Sequence, residues 1–474
     1  MIPAITASKV YSTLGNSNSL VPLALKDIIN SVGLTTASYI TGDEAEGRDR
    51  FIDEFGTQAI WLFGIPAYKK VLDLTLFKAM GYDPKVDVRI LKDKEIFAKA
   101  KQYAANDTIK ASLEKIGKTS SNIKTFKGLT MGKFVASTAL TILSYYGLTK
   151  FRHKHTEEHI KEEYLKSLQQ QGLLNNSSAK DKFIQAPQKV SPAFGMVHNF
   201  NAQNKKDKDK NPSFTGIQDF MFSPTKNLMI VDASITAERL FESRNLQDTI
   251  GYGIKEGSFW AFMYLLGEKI QTHFENKAEK DHNKNIQLDA RVIEGEDLKN
   301  ALKNEKLPSI LKAFSNMKKD VDVYDFVCNP NNKDNVIVKM AKISDIIEVV
   351  DAKDINSAVD TRKYIDIAQV KGLGEKLNKL FKQFGDYKTD MLAKNDKLTE
   401  EQMLETFLKD LKKLKRASIL KNIGSCITAL GVVAPALMVA VRYFGGQDNK
   451  GFKVKEDIER KLAEDIKNGK NITA

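Results

Sequence analysis

The longest stretch of apolar and small residues runs from Ile423 to Val441 (IGSCITALGVVAPALMVAV), 19 positions without a charge. As a helix it rises about 28 Å, close to the roughly 30 Å of bilayer hydrocarbon. Gly424, Ser425, Ala429, Gly431, Ala434, Ala436 and Ala440 are small residues of the kind that let membrane helices pack closely. Pro435 is better tolerated there than in water, and Tyr443 and Phe444 sit where interfacial aromatics belong. A second run, Phe134 to Thr149, has 16 uncharged residues; extended back to Gly128 it has 22 residues and one charge, Lys133.

Two further runs are shorter. Phe55 to Tyr68 has 14 uncharged residues and Gly257 to Gly267 has 11. Lys69, Lys70 and Asp73 interrupt the first, and Lys255, Glu256, Glu268 and Lys269 bracket the second. Runs of that length suit buried, interfacial or re-entrant helices better than spans. Leu20 to Leu34 reads as an amphipathic helix ending near Gly33.

The pattern repeats. At an offset of 195, Ile40/Ile235, Thr41/Thr236, Asp53/Asp248 and Gly56/Gly251 are identical. At 199, Trp61/Trp260, Phe63/Phe262 and Lys70/Lys269 match, and at 202, Asp87/Asp289 and Arg89/Arg291 match. Offsets that rise in order by small steps fit two copies of one plan with short insertions. Each copy opens with a capped helix, by a Thr41-x-x-Glu44 capping box in the first and by Thr236 with Glu238 in the second. A Trp-bearing apolar run follows, then a β-like stretch (VDVRIL; IQLDARVI), a charged helix (EIFAKAKQYAA; DLKNALKN) and a long apolar run.

The segments are therefore expected as follows. Residues 1–174 form the first repeat, with apolar helices near 55–77 and 129–149, and 175–215 form a polar linker with the solvated core Lys205–Asn211 (KKDKDKN). Residues 216–303 open the second repeat, 304–415 are an inserted soluble segment, and 416–474 close the repeat with the 423–441 helix and a charged C-terminal helix. In the insertion, VDVYDFVCN and NVIVKMAKI read as strands around the turn PNNKDN. Leu373, Leu377, Leu380, Phe381 and Phe384, then Met403, Phe407, Leu408, Leu411 and Leu414, recur at helical spacing as packing faces. The expected fold is mainly α: a two-fold duplication of helical units with short β-like stretches, each copy ending in a long apolar helix, plus a small α/β insertion.

Candidate chemistry is sparse. His153, His155 and His159 form HKHTEEH, with His155 and His159 one turn apart, but the order lacks the H-E-x-x-H of a metalloprotease and the second copy has no counterpart. Gly251-Tyr-Gly253 and Gly372-Leu-Gly374 lack the strand–helix context and lysine of a phosphate loop. Cys328 and Cys426 belong to no CxxC, and two cysteines in 474 residues make no disulfide framework. No catalytic, cofactor-binding or metal residue is assigned, no cofactor is implied, and the balance leans away from an enzyme.

Charge adds one point. Lys+Arg is 73 against 60 Asp+Glu, a net +13, and part of the excess flanks the apolar runs: Lys124, Lys127 and Lys133 before one, Lys409, Lys412, Lys413, Lys415, Arg416 and Lys421 before the other. Without interleaved aromatics or Arg clusters, this placement favours an anionic lipid bilayer over nucleic acid. A protein partner, or self-association through the small-residue helix faces, is the other expected contact. The expectation is a membrane-associated helical repeat protein with a structural, tethering or transport-accessory role and its polar regions in the cytoplasm. The alternative is a soluble helical scaffold whose basic surface binds an acidic protein or nucleic acid.

Overall fold

The computed structural model describes residues 7–15, 20–171, 221–350, 358–394, 398–444 and 452–468; the expected linker 175–215 lies outside them. The described residues are mainly helical and contain no strand, only an isolated bridge between Val349 and Val359. This corrects the β-like expectations. VDVRIL becomes the 3-10 turn Val88–Leu91, and IQLDARVI leads into the short helix Ala290–Glu294. Each is capped by an aspartate that accepts the N–H of an arginine two residues on, Asp87 from Arg89 and Asp289 from Arg291, both at 2.8 Å. VDVYDFVCN and NVIVKMAKI are the helices Asp320–Cys328 and Val336–Ile343, so the insertion has no α/β character among the described residues.

Tertiary packing overrides the β-branched propensity here. Val323 and Val327 lie one helical turn apart and are both buried, as are Ile337, Val338, Met340 and Ala341. Both helices pack on Ile367–Ala393, and Asn335 caps the second by accepting the N–H of Ile337 at 3.0 Å.

The cap assignments also move. Thr41 closes the helix Val21–Thr41, donating to the Ala37 carbonyl, and the next helix is capped by Asp43. Thr236 lies inside Pro224–Phe241, and the following helix, Leu246–Trp260, is capped by Asn245. The first amphipathic helix does not stop at Gly33. It runs on to Thr41, and Gly33 serves a close helix crossing instead, since a Cβ there would fall 2.8 Å from Pro435 and 2.9 Å from the Gly431 carbonyl oxygen.

Two regions result. Six helical segments close into a ring: 44–80, 21–41, the C-terminal half of Glu400–Phe444, 246–282, 224–241 and 120–170, each packed on the next. The second region, 82–118 with 284–415, has a continuous apolar core including Leu113, Tyr324, Leu380 and Phe407. The long helices Ser120–Gln170 and Glu400–Phe444 begin in the second region and run on through the ring. Residues 44–80 run antiparallel to Ser120–Gln170: Phe77 packs on Phe126 at 6.1 Å near the second region, and Arg48 meets Glu163 at 3.3 Å at the far end.

Candidate functional site

The ring is filled with charge. From Glu44–Ala59 come Asp49, Arg50, Asp53 and Glu54, and from Leu246–Trp260 come Asp248, Tyr252, Lys255 and Glu256. Both sets recur at helical spacing, so each forms one stripe along its helix. Ser120–Gln170 adds Arg152, Pro224–Phe241 adds Arg239, and the turn between two helices adds Arg244.

Asp53 lies at the centre, 3.2 Å from Arg152 Nη1 and 3.3 Å from Arg239 Nη2. Lys255 Nζ meets Glu54 at 2.7 Å, and Arg239 also pairs with Glu256. Arg244 bridges the stripes, reaching Asp49 at 2.7 Å and Asp248 at 2.9 Å. Thr156 donates to Asp49 at 2.6 Å, Arg152 donates to the Tyr252 hydroxyl at 2.6 Å, and the Arg50 guanidinium lies 5.1 Å from the centre of the Tyr252 ring. At the end of the longest apolar run, Arg442 is buried against Glu46. The carboxylates Glu46, Asp49, Asp53, Glu54, Asp248 and Glu256 face the cations Arg50, Arg152, Arg239, Arg244, Lys255 and Arg442, and Asp27, Asp232, Glu238 and Lys26 lie in the same interior, where acids outnumber bases. A cavity beside them, lined by Gln247, Gly251, Met438 and Arg442, holds about 10 Å3, room for one water at most.

The outer surface is the reverse. No charged side chain is exposed over 21–41, 49–68, 128–149, 246–267 or 422–444, each about 30 Å of helix or slightly more. Ile40, Phe63, Leu143, Leu265 and Val432 are each more than half exposed. Asp53, Glu54, Lys255 and Glu256, which bound two of the apolar runs in the sequence, are turned inward, so the apolar belt extends past those runs, whereas Lys70, Glu268 and Lys269 stay exposed at its edge. Among the described residues one helix, Glu400–Phe444, is long and apolar enough to cross a membrane, with 33% of its most apolar window buried.

The apolar helices share a second device. A π turn interrupts them at Ile60–Gly64, Ala261–Leu265 and Ala429–Val433. Pro66 and Pro435 each follow such a turn by two residues. Proline has no N–H for the carbonyl four residues back, and here that carbonyl, of Leu62 or Gly431, lies within the π turn, where the bonding register has already shifted.

Comparison with known protein families, curated proteins and solved structures returns no match for this chain.

The residues singled out from sequence fall elsewhere. His153 turns to Arg152 at 2.8 Å, while His155 stacks between Phe151 and His159, and His159 meets Glu163 at 3.2 Å. Among the described residues, no three metal-ligating groups come together. Gly251 lies against Arg50 and Gly374 against Phe314, both on helices and not in loops. Both cysteines are buried, and burial pushes the Cys328 thiol up to about 12.

The sequence reading passed over the charge stripes. Asp49, Asp53 and Glu54 read as ordinary solvated positions, because an amphipathic helix is normally placed with its charged face toward water. The available signal was their opposite side, Phe51, Phe55 and Ala59, which continues without a break into the apolar run.

Proposed function

We propose that the chain is a membrane-associated helical repeat protein with a structural or tethering role, its six-helix ring seated in a bilayer and its second region in water. The observation that carries this reading is the inversion of the ring, with paired charges inside and an apolar belt about 30 Å tall outside. A cavity no larger than a water beside the charge network favours structure or tethering over transport. Lys124, Lys127, Lys412, Lys413 and Lys421 gather where the ring meets the second region; the positive-inside tendency puts that region in the cytoplasm.

The reading includes an internal duplication. What supports it is a recurring order of local features. The helix caps Asp43 and Asn245, the π turns beginning at Ile60 and Ala261, the capping pairs Asp87-x-Arg89 and Asp289-x-Arg291, and the helices beginning at Lys94 and Glu296 are separated by 202, 201, 202 and 202 residues. In this register Glu54 corresponds to Glu256, both in the ion network, and the two tryptophans no longer coincide. The Asp-x-Arg pair also occurs at Asp360 and Arg362, within the inserted segment, so it carries less weight than the order of elements.

One observation favours a second reading, a soluble scaffold in which copies of the chain cover each other's belts. Gln171 follows the far end of the ring, whereas Phe222 lies beside the second region, its ring 4.9 Å from Arg89. Residues 172–220 therefore connect opposite ends of the belt, and their KKDKDKN core is poorly suited to hydrocarbon. Alkaline carbonate extraction of membranes from expressing cells separates the two. Retention in the pellet is the expected outcome. Complete release, followed by a detergent-free, monodisperse oligomer on gel filtration, overturns the embedded reading in favour of the scaffold.

A further inference from the structure

The helix that enters the ring from the second region changes character along one face. Lys409, Lys412, Lys413 and Arg416 recur at helical spacing, and the same face continues through Leu420, Gly424 and Val432, all exposed. Beside the cationic part lies a groove of about 650 Å3, completed by Lys299 of the helix Glu296–Leu302. That volume is in the range of a small-molecule site. Arg416 is held by Glu294 through two contacts of 2.7 Å, and Lys299 meets Glu405 at 2.8 Å. Among the described residues, Lys409, Lys412 and Lys413 form no ion pair. Glu296 also lines the groove, so its five basic side chains outnumber its two acids, Glu296 and Glu405, and an excess of positive charge sits toward the rim of the apolar belt, which begins just past Lys421.

We propose that this groove binds the phosphate headgroup of an anionic phospholipid, with its acyl chains lying along the Leu420–Gly424–Val432 face. The argument is charge complementarity together with continuity. An anion placed against the lysines has apolar surface directly beneath it on the same helix, which a lipid can use and a free phosphate or nucleic acid cannot. The proposal rests on the embedded reading and narrows it to one site on one rim.

The test uses the full chain reconstituted into vesicles of phosphatidylcholine alone or mixed with phosphatidylglycerol, alongside the variant Lys409→Gln/Lys412→Gln/Lys413→Gln. Carbonate resistance in pure phosphatidylcholine reports embedding on its own. Lipid retained through detergent extraction, read by native mass spectrometry, reports the groove. The expected result is that both proteins embed and only the wild type retains phosphatidylglycerol. At about fivefold per lysine, the loss of relative affinity is on the order of a hundredfold for all three. Equal retention by both proteins overturns the groove while leaving embedding intact. Failure of both to resist carbonate overturns the embedded reading itself. Displacement of retained lipid by inorganic phosphate or by a short RNA at low concentration overturns the lipid assignment in favour of a soluble anion. As a fold control, the variant should match the wild type in circular dichroism; if it does not, Lys412→Gln alone is measured, with about a fivefold loss expected.

Discussion

The helices Glu44–Ala59 and Ile367–Ala393 mix charged and apolar residues in much the same way, and they turn opposite faces inward. In the second, Val370, Leu373, Leu377, Leu380 and Phe384 are buried while Glu375, Lys379 and Lys382 face out. In the first, Glu46, Asp49, Arg50, Asp53 and Glu54 are buried while Phe51 is half exposed. Both are amphipathic helices, so the amphipathic pattern does not say which face is the inside. That depends on the surrounding solvent. In water, apolar burial drives packing and charges stay outside. In hydrocarbon an unpaired charge is expensive, so charges are driven together in the interior.

The largest effect that can break this comparison is expected at its centre. Asp53→Ala leaves Arg152 and Arg239 buried without their shared carboxylate, and removing one partner of a buried pair typically costs about 3–5 kcal/mol. Thermal unfolding in detergent, followed through the ring tryptophans Trp61 and Trp260, should show that loss. Wild-type stability for Asp53→Ala would mean the network does not hold the ring together. The solvent itself is tested next. Leu143→Lys puts a charge on the outer belt, where hydrocarbon would penalise it by about 2.5–3.5 kcal/mol, whereas an exposed site in water would shift stability by roughly 0.5 kcal/mol or less. Yield of membrane-integrated protein distinguishes the two, and an unchanged yield would count against lipid on that face.

A smaller effect is expected where two ring helices cross. Gly33→Val forces a side chain into Pro435 and the Gly431 carbonyl, and overpacking of this kind costs about 1–3 kcal/mol. The smallest belongs to the second region, where hydrogen bonds from Lys99 and Tyr103 hold the Asp325 carboxyl below its usual value. A lowered carboxylate pKa stabilises the folded state above the unfolded value, near 4, and that contribution is lost as pH falls through the folded value. Asp325→Asn should therefore lower the unfolding free energy slightly at neutral pH, by less than about 1 kcal/mol for so exposed a pair, and make no difference in strong acid. A variant equally destabilised at both ends of the pH range would point to lost packing instead of lost charge.

Much of the fold was legible from spacing. The packing stripe Leu373, Leu377, Leu380 and Phe384 is buried as the periodicity requires, and the 423–441 run is helical along its length. The strands were misread because VDVYDFV and NVIVKMA are rich in β-branched residues, a preference worth little once one face packs against a neighbouring helix. The Thr41 and Thr236 caps were misplaced because the sequence offers several side chains able to cap, and the choice depends on where the preceding helix ends.

The sequence by itself determined that this chain is helical, that its apolar residues concentrate in four runs, and that lysines collect beside them. These are local properties, carried by spacing over one or two turns. Only the tertiary structure decided that Asp49, Asp53, Glu54, Arg152, Arg239, Lys255 and Glu256 share one interior. They are scattered over more than two hundred positions on four helices, and an ion pair depends on distance in space, not along the chain. With those charges turned inward, the outward faces of five segments became one apolar belt, a surface that no single run contains.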